Sequence, residues 1–124
     1  MTKGLIFEKK TKIAIIGCGR ISQNHIKAIL HNHERAELVA LCDVSNERLA
    51  QAEIQLIEIS KELGIKLILP CKYKNLDELL AAKKSNKIKL DLVTLATPSG
   101  LHSIQTIQLA NAGINVCCEK PMAT

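Results

Sequence analysis

Apolar residues in this chain gather in short segments at about 12–17, 37–43, 66–69, 90–96 and 114–118, rich in Ile, Leu and Val. Runs of this length and composition predict strands covered on both faces. The segments between them change period. Ile21, His25, Ala28 and Ile29 share one face of a helix, and a longer one carries Leu49, Ala52, Ile54, Leu56, Ile57 and Ile59. Ser45 or Asn46 is the expected cap of that second helix and Gly64 its expected terminator. A short helix opens at Asn75 or Leu76 and runs through Leu79, Leu80 and Ala82; a last one starts at Pro98-Ser99 and runs through Ile104, Ile107 and Leu109 to Gly113. Strands alternating with helices, without hairpin signals, predict an α/β fold: a doubly wound parallel sheet of about five strands with right-handed crossovers and strand order 3-2-1-4-5.

Residues 1–11 read as a polar leader with a small apolar patch at Leu5 to Phe7, and 12–124 as one domain. The pattern stops just after the fifth strand, where a parallel sheet is normally followed by a further helix. The sheet is therefore expected to be cut short there, with an edge open to self-association.

Composition narrows the class. With 124 residues the chain can bury a single core, and with Phe7 and Tyr73 as its only aromatics that core must be aliphatic. No segment approaches the ~20 apolar residues of a membrane span and the start is too charged for a secretory signal, so a soluble, cytoplasmic chain is expected. The net charge of +5 comes from scattered lysines, grouped only at 9–12 and 83–89 and not interleaved with aromatics, which argues for solvated surface over nucleic-acid binding. The five cysteines show no Cys-x-x-Cys spacing, and Cys117 and Cys118 point to opposite faces if they share a strand. Buried thiols in a reducing compartment, and no zinc, are expected.

The candidate chemistry gathers where strands end. Gly17-Cys18-Gly19-Arg20-Ile21-Ser22 follows the first strand: Gly17 permits a sharp turn, and Gly19 lets a pyrophosphate approach the N–H groups that open the next helix. Ser22, at the third position of this pattern, is small enough for close packing of helix on strand. Asp43 ends the second strand, 26 residues beyond Gly17, where a carboxylate can accept the hydroxyls of an adenosine ribose. The alternative is an Asp that merely caps the helix from Ser45 or Asn46. Thr97 and Ser99, after the fourth strand, offer hydroxyls to a phosphate or ribose and also suit plain helix capping. His102 could face the site or solvent, and Lys120, held beside Pro121, is either a site residue or a solvated charge.

Three stretches together carry a resemblance: Gly17-Cys18-Gly19-Arg20-Ile21-Ser22, Ala96-Thr97-Pro98-Ser99-Gly100-Leu101-His102 and Cys118-Glu119-Lys120-Pro121-Met122-Ala123. They resemble the N-terminal domain of the glucose-fructose oxidoreductase, inositol dehydrogenase and rhizopine-catabolism family (Gfo/Idh/MocA), over about residues 11–124. Within it, they look most like the branch that oxidises carbon 3 of UDP-N-acetylated sugars for lipopolysaccharide synthesis. The resemblance implies an enzyme that transfers hydride between a sugar hydroxyl and a nicotinamide. It places Gly17, Cys18, Gly19, Arg20 and Ile21 at the pyrophosphate, Asp43 at the adenosine ribose, and Thr97, Pro98, Ser99 and His102 along the nicotinamide half. Glu119 and Lys120 fall at the nicotinamide ribose and the reacting hydroxyl, with Lys120 as catalytic residue. Asp43 favours NAD over NADP because a carboxylate repels a 2′-phosphate, while nearby Arg48 leaves dual use open.

Family members carry a second domain that binds the sugar, and it has no counterpart here. The 124 residues alone are therefore expected to bind the dinucleotide without oxidising a sugar nucleotide. A different expectation is a nucleotide-binding or regulatory module that works with a separate partner chain.

Overall fold

The computed structural model describes residues 10–19, 22–96 and 102–118, the last including only the backbone course at 102–104 and 117–118. Nine elements alternate along the described chain: β1 (Thr11–Ile16), α1 (Ser22–His31), β2 (Ala36–Cys42), α2 (Asn46–Leu63), β3 (Cys71–Tyr73), α3 (Leu76–Lys84), β4 (Leu92–Leu95), α4 (His102–Asn111) and β5 (Asn115–Cys118). The five strands form one sheet in the order β3-β2-β1-β4-β5, every neighbouring pair parallel. This is the order expected from the alternation of elements.

Strand side chains alternate between two aliphatic layers. Ile13 and Ile15 of β1 pack with Ile26, Leu49 and Leu56 of α1 and α2, whereas Ala14 and Ile16 face Leu79 of α3 and Leu109 of α4. β2 keeps both layers filled by a bulge. Ile13 pairs with Leu38 but Ala14 with Ala40, so Val39 is extra, and Leu38 and Leu41 reach the same layer although three residues apart.

Caps set the helix limits. Ser45 Oγ accepts the Arg48 N–H at 3.2 Å, and Gly64, at φ +69°, closes α2 through its N–H to Lys61 O and Ser60 O. Asn75 Oδ1 accepts the Glu78 N–H at 2.9 Å to start α3.

Several expectations need correction. The third strand is not at 66–69 but at Cys71–Tyr73, pairing with Ala40–Cys42. Pro70 lacks the N–H that a strand interior needs, so pairing begins only beyond it. Ile68 and Leu69 are left exposed in the connection, at 69% and 52% of full exposure. Ile54, Ile57 and Ile107 are also exposed, because the core stripe of α2 is Leu49, Ala52, Leu56 and Ile59 and that of α4 includes Leu109. On α1 the buried face is Ser22, Ile26, Ile29 and Leu30, with Ala28 exposed. Among the cysteines, Cys18 and Cys42 are buried but Cys71, on the edge strand, is exposed. None of the described helices is long and apolar enough to cross a membrane, and no cluster of three or more metal-ligating side chains occurs among the described residues.

Candidate functional site

In a parallel sheet all strands deliver their carboxyl ends to one edge, and there β1, β2, β3 and β4 enclose a cavity of about 290 Å³. Gly17, Gly19, Asp43, Arg48, Lys74 and Asn75 supply its polar and backbone lining, and Ile16, Val44, Leu76 and Ala96 its apolar one. The helices that start at this edge, α2 and α3, turn their N-termini toward it, and such ends favour anions.

The β1–α1 turn is fixed by its own hydrogen bonds. Gly17 has φ +94°, a conformation that a side chain would strain, and its N–H donates to Cys42 O at 2.7 Å. Ser22 is buried, and its hydroxyl and N–H both donate to Gly19 O, at 2.6 and 3.1 Å. The serine thus closes the turn, a bond that neither Gly nor Ala could supply from a side chain. Gly19 has no such internal reason to be glycine. A Cβ built there meets nothing nearer than Arg48 Nη1, at 3.9 Å, and would project beside the cavity. The bare backbone is what a ligand approaching the turn requires, and in this respect the site fits a dinucleotide.

Asp43 is the hub of the site. It is 8% exposed; its Oδ2 accepts the Cys18 N–H at 2.7 Å and its Oδ1 the Ser45 N–H at 2.8 Å. The carboxylate therefore ties the glycine turn to the start of α2. Each oxygen retains further acceptor capacity, which ribose hydroxyls could use. Capping of α2 itself falls to Ser45, so Asp43 is more than a helix cap. Its charge also acts on the thiols beneath. Burial, followed by the Asp43 carboxylate, pushes Cys18 up to about 12, and burial, followed by Cys18 and Asp43, does the same for Cys42. Both thiols remain protonated and unreactive at neutral pH.

Of the residues expected at the site, the structure brings together Gly17, Gly19 and Asp43 around the cavity, with Cys18 immediately behind. His102 is the first described residue of α4, and its side chain lies outside the description. Arg20, Ile21, Thr97, Pro98, Ser99, Glu119 and Lys120 also lie outside the described residues. Sequence reasoning missed Val44, Lys74, Asn75, Leu76 and Gln105 as lining residues. Lys74 to Leu76 were hidden by placing the third strand five residues too early. The helix start at Asn75 was the available signal, since a helix opening straight after a strand does so at the carboxyl edge.

Known proteins agree with this geometry. The family described as oxidoreductase, NAD-binding Rossmann fold, matches residues 11–124. D-apiose dehydrogenase of Paraburkholderia graminis is 35% identical over 115 residues, which make up 93% of this chain and 26% of that protein. The WlbA dehydrogenase of Bordetella pertussis, solved in complex with NADH and UDP-GlcNAcA, is 41% identical with a TM-score of 0.69, over 93% of this chain and 30% of that one. The scyllo-inositol dehydrogenase of Lactobacillus casei, with bound NAD(H) and scyllo-inositol, is 30% identical with a TM-score of 0.67, over 91% and 28% respectively. The chain thus spans less than a third of the length of these relatives.

Proposed function

The chain belongs to the Gfo/Idh/MocA oxidoreductase family, built on the NAD-binding Rossmann fold, and we propose that it is the cofactor half of a dehydrogenase that oxidises carbon 3 of a UDP-N-acetylated sugar or sugar acid. The observation that carries the reading is Asp43 joined to the glycine turn at the rim of the carboxyl-edge cavity. The 41% identity to a dehydrogenase solved with UDP-GlcNAcA supports the sugar class.

In this reading the backbone from Gly17 to Ile21, with Cys18, Gly19 and Arg20 between, cradles the pyrophosphate. Asp43 accepts the adenosine ribose hydroxyls through its remaining lone pairs and disfavours a 2′-phosphate, so NAD is preferred to NADP. Thr97, Pro98, Ser99 and His102 follow β4 in sequence and border the nicotinamide half. Glu119 orients the nicotinamide ribose, and Lys120, two residues beyond β5 in the sequence, polarises the sugar hydroxyl or passes on its proton. Bound NAD supplies a hydride acceptor at carbon 4 of its nicotinamide. The sugar pocket is furnished by a further domain or partner chain, so the 124 residues by themselves bind NAD and leave UDP-sugars unoxidised.

Calorimetric titration with NAD and NADP in parallel tests the cofactor half. Saturable NAD binding, even at a Kd of ~1 mM (about −4 kcal/mol), with weaker NADP binding, is expected. A folded chain that binds neither overturns the reading. The sugar class is tested by joining residues 1–124 to the remainder of the Bordetella WlbA dehydrogenase or of the Lactobacillus scyllo-inositol dehydrogenase. Formation of NADH by the first chimera on UDP-GlcNAcA and not by the second on scyllo-inositol is expected. The reverse preference sinks the UDP-sugar assignment and leaves the cofactor role intact.

A further inference from the structure

The charged lining of the carboxyl-edge cavity consists of Asp43, Arg48 and Lys74, one carboxylate against two cations. No described carboxylate pairs with either cation: Glu37 takes Lys12 and Glu53 takes Lys72, while the Asp43 oxygens accept the backbone N–H groups of Cys18 and Ser45. The lining therefore carries positive charge that the protein itself leaves unneutralised.

The two cations lie on different sides of Asp43. Arg48 stands toward the glycine turn, its Nη1 3.9 Å from where a Cβ on Gly19 would be. Lys74 lies on the other side, because β2 separates β1 from β3 in the sheet and Lys74 directly follows β3. Backbone bonds fix it there. The Asp43 N–H donates to Tyr73 O at 3.0 Å, and the Lys74 N–H donates to Glu78 Oε1 at 2.9 Å. The main chain of Lys74 is thus tied both to the segment that carries Asp43 and to the first turn of α3, with its ammonium left for a ligand. A dinucleotide whose pyrophosphate rests on the glycine turn and whose ribose reaches Asp43 brings its adenosine to this β3 side. The adenosine of NAD offers no charge to a lysine there, whereas the 2′-phosphate of NADP does, and an ammonium can hold a phosphate as a point charge. Resting on the cofactor role of the cavity, we propose that Lys74 is a specificity-determining residue: it offsets the Asp43 carboxylate and receives the 2′-phosphate, so that the site admits NADP as a second cofactor, held more weakly than NAD.

The Lys74 side chain is exposed and its two neighbouring bonds are made by backbone, so Lys74→Ala and Lys74→Glu keep the fold, which circular dichroism verifies. Ligand-observed NMR titration of the 124-residue chain with NAD and with NADP measures both dissociation constants even when binding is weak. The ratio of the NADP constant to the NAD constant is expected to rise about tenfold in Lys74→Glu and roughly threefold in Lys74→Ala. A parallel change in both constants, or no change in either, overturns the role of Lys74 and leaves the cofactor half standing. A parent chain that binds NAD but not NADP does the same. A parent chain that binds neither dinucleotide removes the cofactor role, and the proposal with it.

Discussion

The two edges of the sheet carry cavities of similar size, about 290 Å³ at the carboxyl edge and about 350 Å³ at the amino edge, yet their chemistry differs. At the carboxyl edge, helix N-termini converge with Asp43, Arg48 and Lys74. At the amino edge, the helices end: His33 follows α1, Gly64 closes α2, and Lys10, His33, Glu37 and Lys66 share the lining with aliphatic side chains. This contrast is a consequence of parallel topology, which sends every helix back with its positive end toward the strands' carboxyl edge. Volume alone would rank the wrong cavity first for a dinucleotide. The direction of the backbone dipoles selects the carboxyl-edge cavity for an anion.

The largest break in this contrast is expected from Asp43→Ala. It removes an acceptor from two backbone N–H groups, those of Cys18 and Ser45, and charge-assisted bonds of this kind contribute ~1.5–3 kcal/mol each. Stability in urea is expected to fall by about 3 kcal/mol or more, and NAD binding to vanish from the calorimeter. Asp43→Asn keeps one acceptor and turns an NH₂ toward the other donor, so an intermediate loss is expected. An Asp43→Ala chain with unchanged stability would refute the hub role, whatever happens to NAD.

Gly19→Ala separates the ligand from the fold. The added methyl meets only Arg48, at 3.9 Å, so the urea midpoint is expected to stay within about 0.5 kcal/mol of the parent. NAD affinity is expected to fall at least tenfold, about 1.4 kcal/mol, because the methyl stands where phosphate must approach. Gly17→Ala should behave differently, costing ~1–2 kcal/mol of stability as well, because φ +94° is strained for alanine. Equal effects at the two glycines would show that the turn, and not the ligand, dictates both.

The same topology explains what could be read from the sequence. Strand order follows from the alternation of strand and helix patterns with right-handed crossovers, whereas the bulge at Val39 leaves no mark in runs that are apolar on both faces. Asp43 was found through its distance from Gly17, but its bonds to Cys18 and Ser45 were not, since hydrogen bonds between two turns leave no spacing signal. The third strand was misplaced because Lys66 to Leu69 is the more apolar run, while Cys71-Lys72-Tyr73 is short, polar and on the edge. There the pairing with Ala40–Cys42, a tertiary choice, outweighs local hydropathy. That one displacement hid Lys74 and Asn75 and left Ile68 and Leu69 to be counted as core, so a single local misreading touched both cavities.

An effect confined to alkaline pH sharpens the comparison from beneath the site. Cys18 and Cys42 lie under the carboxyl-edge cavity and hold their protons to about 12, whereas an unfolded thiol ionises near 9.0. Between these values unfolding releases protons, so stability falls as pH rises; it is intact below pH 9 and declines toward pH 12. At pH 10 the loss amounts to about 1.4 kcal/mol per thiol. Urea unfolding from pH 8 to 10.5 measures it, and Cys18→Ala with Cys42→Ala should flatten the slope even though it lowers the starting value. Iodoacetamide mapping at pH 8 supplies the complementary reading: Cys71, exposed on β3, should be alkylated well before Cys18 or Cys42. Alkylation of Cys18 as fast as Cys71 would mean that the turn opens to solvent, and that the Asp43 bonds do not hold it shut.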